Sequence, residues 1–87
     1  MTDVEKNLTA TLTEIVCALV DEEDAVDITA MPSGTTIMFN IDAAKGDVGK
    51  LIGRQGKTAG AIRHIMSAAS AKYKVRSIIS IPDKKDQ

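Results

Sequence analysis

The chain has 87 residues, 44% of them apolar and 26% charged, with a formal net charge of −1. That is one domain near the small end of what a single core stabilises, and too apolar for a disordered segment. No run approaches the ~18 apolar residues of a membrane span, and Met1-Thr2-Asp3-Val4-Glu5 lacks the basic-then-apolar order of a signal peptide, so a soluble cytoplasmic protein is expected.

Thr2 and Glu5 stand at capping-box spacing, and Val4, Leu8, Leu12, Ile15 and Leu19 fall on one helical face, which predicts a first helix running to about Val20. Asp21-Glu22-Glu23-Asp24 follows as an acidic connector, read as a solvated turn because four adjacent acids cannot all converge on one ion. Ala25 to Met31 alternates with Val26, Ile28 and Ala30 on one side, the pattern of a half-buried strand. Pro32-Ser33-Gly34 is the expected turn, and Thr35 to Ile41 alternates again with Ile37, Phe39 and Ile41 inward, so an antiparallel hairpin is the simplest connection.

Asp42 is placed to cap a short helix from about Ala43 to Ile52, which Gly46 and Gly49 weaken by roughly 1 kcal/mol each relative to alanine. Small residues there allow close approach by a ligand or a neighbouring helix, or simply mark a frayed start. Ile62, Ile65, Met66, Ala69 and Tyr73 then recur at helical spacing from about Lys57 to Tyr73, with Arg63 projecting away from most of that stripe. Val75 to Ile81 reads as a third strand, and Pro82 to Gln87 as a loose polar tail. The order is α-β-β-α-α-β, an α+β chain whose three helices bury their stripes on one face of a three-stranded sheet.

The total charge conceals a division. Residues 1–44 hold nine acids and one base, for −8; residues 45–87 hold ten bases and three acids, for +7. Such asymmetry points toward a polyanion, since affinity follows local potential rather than the total. The competing reading is that the two halves neutralise each other in salt bridges, individually weak when exposed.

Within the basic half, Gly53-Arg54-Gln55-Gly56 joins two helical segments. Glycines at both ends permit φ > 0 and remove two Cβ atoms, and the following helix begins with unpaired N–H groups that favour a phosphate. Lys50, Arg54 and Lys57 supply cations and Gln55 a neutral hydrogen-bonding group. Gly56-Lys57-Thr58 imitates the end of a Walker A loop, but both that motif and the dinucleotide fingerprint would need glycine at position 51, which is Leu. Two readings remain: the GXXG loop of KH domains, which clamps about four single-stranded nucleotides, and a tight helix–helix turn with Gly53 as a C-cap.

Other chemistry is sparse. Cys17, the sole cysteine, can form neither an internal disulfide nor a zinc site and is placed opposite the first helix's stripe, as a reduced surface thiol or at a subunit contact. His64, the sole histidine, reads as an exposed helix residue or an extra cation near RNA, and no carboxylate pair, nucleophile–base set or metal spacing points to an enzyme. With only Phe39 and Tyr73 aromatic, base-stacking platforms cannot be assembled, so any RNA contact rests on the backbone and an aliphatic groove, with weak sequence preference.

The order of elements, with GXXG between the last two helices, resembles a type II KH domain over residues 1–82, leaving 83–87 as tail. More closely, the block from Asp47 to Arg63, together with Leu19-Val20-Asp21 and Glu23-Asp24, is similar to the small bacterial single-KH proteins of the KhpA group. That resemblance implies a cytoplasmic RNA-binding protein acting as a post-transcriptional regulator or RNA chaperone, without cofactor, forming homodimers and meeting a larger KH-containing partner. It also implies that Gly53, Arg54, Gln55 and Gly56 clamp the RNA backbone above an apolar floor that includes Ile52. The candidate RNA-contact set is Gly49, Lys50, Ile52, Gly53, Arg54, Gln55, Gly56, Lys57 and Arg63. A protein-interaction adaptor that keeps a KH scaffold is the alternative.

Overall fold

The computed structural model describes residues Thr2–Pro82, apart from the side chain of Thr2. The capping-box reading of Thr2 and the tail over residues 83–87 therefore fall outside what is described. Helix α1 spans Thr2–Leu19, strand β1 Asp27–Ser33, strand β2 Thr36–Asp42, helix α2 Lys45–Ile52, helix α3 Lys57–Lys72 and strand β3 Arg76–Ser80. This α-β-β-α-α-β order on a mixed three-stranded sheet is the type II KH arrangement.

Strand β2 lies at the centre, antiparallel to β1 and parallel to β3. Its inward residues Ile37, Phe39 and Ile41 are fully buried, as their alternation predicts. A parallel β2–β3 pair requires a crossover, which α2 and α3 supply. The helices shield the inner face, and Met31, Met38 and Ile78 form an exposed row across the outer one.

The hairpin departs from expectation by two residues. Pro32 and Ser33 belong to β1, and the turn is the two-residue loop Gly34-Thr35, with Gly34 at φ 62°. A glycine of positive φ in the first loop position gives the turn hand that matches strand twist. Ser33 and Thr36 close this loop as the hydrogen-bonded pair, so Pro32 opposite Ile37 occupies a non-hydrogen-bonded site at an open edge. There its missing N–H costs no ladder bond.

The apolar face of α1 is also rotated. Leu8, Leu12, Val16 and Val20 are buried at four-residue intervals, whereas Leu19 is 39% exposed and Ile15 only partly covered. Val20 is carried inward by its N–H bond to the Val16 carbonyl, 3.2 Å, which extends the last turn toward the core. On that face Cys17 becomes a half-buried flank residue rather than an exposed thiol.

In α3 the buried residues are Ala59, Ile62, Met66 and Ser70, while Ile65 is 51% exposed, outside the expected stripe. Each large aliphatic side chain so buried contributes roughly 1.5–3 kcal/mol. Helix α2 starts at Lys45 after an Ala44 cap that makes no side-chain bond. Asp42 is not the residue before the helix: its backbone extends β2 opposite Asp27, and its Oδ1 accepts the Ala43 N–H at 3.1 Å.

Helix α3 ends in a Schellman motif. The Val75 N–H reaches the Ser70 carbonyl at 3.2 Å and the Lys74 N–H reaches Ala71 at 3.1 Å. The residue forced into the left-handed region is Lys74, φ 58°, where glycine is the usual occupant. A non-glycine residue there costs about 1–2 kcal/mol.

Candidate nucleic-acid interface

Helix α2 stops where Gly53 turns to φ 76°, ψ 172°, its N–H still bonded to the Gly49 carbonyl at 2.9 Å. That backbone region is essentially reserved for glycine. A Cβ at Gly53 would also lie 2.7 Å from the Thr58 backbone nitrogen and collide with Thr58 Oγ1, so the first glycine is fixed from inside the fold.

Gln55 follows at φ 56°, ψ 28°, and Gly56 at φ 76°, ψ 13°. The Gly56 N–H closes the turn on the Gly53 carbonyl at 3.1 Å. A Cβ at Gly56 would meet nothing within 4 Å. The two glycines therefore differ: Gly53 is packed against the protein, and Gly56 opens onto free space directly before the first turn of α3. No side chain caps that turn; the Lys57 N–H is already bonded to the Arg54 carbonyl, so an incoming anion would be met by the N–H groups that follow it.

Arg54, Gln55 and Lys57 are exposed around this turn, and Ile52 is half-buried beneath it. Gly49 is exposed with open space where a Cβ would stand. Gly56, Gly60 and Arg63 share one face of α3 at helical spacing, and Gly60 likewise has open space where a Cβ would stand. Arg63 is exposed but turns toward the outer edge of the sheet, its Nη2 lying 3.4 Å from the Ile79 carbonyl. His64 is exposed, with Nδ1 3.2 Å from the Gly60 carbonyl.

Lys50 arrives at the site already paired. Its ammonium lies 3.0 Å from Asp47 Oδ1 and 3.2 Å from Asp21 Oδ2. Asp47, only 2% exposed, also accepts the Asp21 N–H at 3.2 Å and the Glu22 N–H at 3.0 Å. The Glu22 N–H foremost, against the opposing effect of burial and with help from Lys50, holds the Asp47 carboxyl below its ordinary value of 3.8. The hydrogen bond to Asp47, then that to Asp21, raises the Lys50 ammonium above its ordinary 10.5.

This cluster ties the exit of α1 to the first turn of the helix that delivers the loop. The sequence reading did not single out Asp47. Its only visible signal was an Asp–Lys pair at i, i+3, common enough on exposed helices to carry no weight.

Fold and loop together define the chain as a KH domain: a three-helix, three-strand scaffold that presents a strained, twice-glycine turn at a helix start. The family model described as KhpA/KhpB, KH domain, matches residues 9–81, and the chain belongs to that family. The chain is similar to the RNA-binding protein KhpA of Caldanaerobacter subterraneus, 42% identical over 77% of this chain and 89% of the relative. It is 38% identical to the protein of that name from Borreliella burgdorferi over 79% and 84% of the respective chains. The Chlamydia trachomatis protein, again named RNA-binding protein KhpA, is 32% identical over 85% and 95%. All three are named as binding proteins rather than as enzymes. No solved structure matches the chain. Among the described residues no helix is long and apolar enough to cross a membrane.

Proposed function

We propose that this chain binds single-stranded RNA in the cytoplasm as a post-transcriptional regulator or RNA chaperone, gripping the sugar-phosphate backbone with Gly53-Arg54-Gln55-Gly56. The observation that carries this reading is the open space at Gly56, in a turn that left-handed Gln55 and Gly56 lead into an uncapped helix N-terminus. A phosphate seated there meets the N–H groups of the first turn of α3, with Arg54 and Lys57 as flanking charges. Ile52 forms the floor, and the strand continues over Gly60 toward Arg63 and the free edge of β3. Lys50, held by two carboxylates, contributes mainly by keeping α2 in place.

The relatives' names support RNA as the ligand class. Residues 1–82 act as the single KH unit. Assembly into a homodimer, and with a larger KH-containing protein, belongs to the same proposal; the exposed Ile65 on α3 offers apolar surface for such a contact.

The test is the double substitution Arg54→Asp with Gln55→Asp. Both side chains are exposed, and Asp tolerates the left-handed conformation at position 55. The variant is expected to keep its circular dichroism spectrum and lose crosslinking to single-stranded RNA. Undiminished crosslinking by the folded variant would refute the clamp; a protein partner retained after RNase treatment and by the loop variant would favour the adaptor reading.

A further inference from the structure

The basic half of the chain is divided between two ends of one helix. Arg54 precedes α3 and Lys57 begins it; Lys72 is its last residue, and Lys74 and Arg76 stand just beyond. Sixteen residues separate the ends by about 24 Å, so a strand in contact with both must run the length of the helix.

All three distal cations are exposed, and among the described residues none has an ion-pair partner. Their backbones are nevertheless fixed. The Arg76 N–H donates to the Thr35 carbonyl at 2.8 Å, and Lys74 is locked as the left-handed residue of the helix cap. The Lys72 ammonium stands 5.4 Å from the centroid of the Tyr73 ring, whose hydroxyl accepts a bond from Asn7 Nδ2 at 3.3 Å. The contact from Asn7 brings the first turns of α1 alongside, where Asp3 and Glu5 are the nearest acids in sequence.

A lysine in the left-handed cap is the telling feature. Glycine would relieve the strain at no loss of packing, because the side chain is exposed, so the side chain's use lies outside the fold. Three exposed cations at alternate positions, without an ion-pair partner among the described residues and held in fixed backbone, match a phosphodiester chain.

We propose that Lys72, Lys74 and Arg76 form a second contact for the RNA backbone, so that one copy of the chain holds a strand at two points about 24 Å apart. The inference rests on the RNA-binding reading above and extends it to the length of RNA engaged.

The test measures affinity against salt for RNA of about three nucleotides, too short to reach both ends of the helix even when extended, and of about twenty-five. In Lys72→Gln/Lys74→Gln/Arg76→Gln the short RNA binds as to wild type. The long RNA weakens about tenfold near 0.1 M salt, and its log–log salt slope becomes shallower by about 2. The single variant Lys74→Gly melts at a higher temperature yet binds the long RNA about threefold more weakly, a combination that a purely structural lysine would not give.

Wild-type affinity and slope of the triple variant for long RNA would overturn the second contact, as would equal losses on both lengths. Arg54→Asp/Gln55→Asp is run in parallel. Binding lost there but retained by the triple variant overturns the second contact and keeps the clamp; the reverse pattern sinks the clamp and keeps the basic end. Failure of the wild-type chain to bind either length would overturn both.

Discussion

Both ends of α3 are made by residues in the left-handed region, but with opposite choices of side chain. At the N-terminal end Gly53 and Gly56 flank Gln55; at the C-terminal end the same backbone demand falls on Lys74. Gly53 has no alternative, since the Thr58 backbone occupies the space a Cβ would need. Gly56, Gln55 and Lys74 are strained or permissive positions where packing does not dictate the side chain. Conformational strain that packing does not require is thus concentrated where the chain is basic and exposed.

The sharpest way to break this comparison is Gly53→Ala. A forbidden backbone region together with a clash against backbone should remove about 3 kcal/mol, read as a large fall in the urea midpoint. A near wild-type midpoint would show that the loop can relax, and that Gly53 and Gly56 are not different in kind.

Asp47→Asn tests whether the loop's carrier helix depends on the buried carboxylate. The wild-type carboxyl is held below 3.8, so its stabilisation is complete above that value and disappears as pH falls through the lowered one. The variant should be less stable by a constant margin between about pH 5 and 9, and the margin should close in acid. The linked Lys50 contribution is present below 10.5 and is lost as pH rises above its raised value. A margin independent of acid pH would mean that the N–H contacts of Asp21 and Glu22 hold without the charge.

Gly56→Ala should cost only about 1–2 kcal/mol, from its left-handed φ, while weakening RNA more than its stability loss explains. Its Cβ enters the open space assigned to phosphate. If stability falls as far as in Gly53→Ala, the contrast between the glycines is lost. The smallest effect is a gain: Lys74→Gly should stabilise by about 1 kcal/mol, or some 4–8 °C in a domain of this size.

Much of the fold was legible because period-2 alternation in β1 and β2 survives burial almost residue for residue: Ile37, Phe39 and Ile41 are inward as expected. Helix faces were less legible. Ser70 is buried and Ile65 exposed, and a pattern that counts only apolar residues necessarily inverts that pair. Pro32 seemed to end a strand because its place at an open edge depends on the register, which sequence alone does not state.

For the site, Gly53 to Gly56 stood out through residue types that have few other uses. Asp47 did not, since its importance comes from two backbone N–H groups contributed by a connector 25 and 26 residues earlier. The pairing that occupies Lys50 was hidden for the same reason: its partner Asp21 is distant in sequence. The left-handed φ of Lys74 was equally silent, because no residue there advertises a helix stop.

The clamp itself is tested most directly by following backbone amide resonances during titration with a short single-stranded RNA. The account predicts the largest shifts at Arg54 to Gly60, with smaller ones at Arg63 and along β3. Shifts confined to the outer sheet face around Met31, Met38 and Ile78, with the loop amides unmoved, would contradict it.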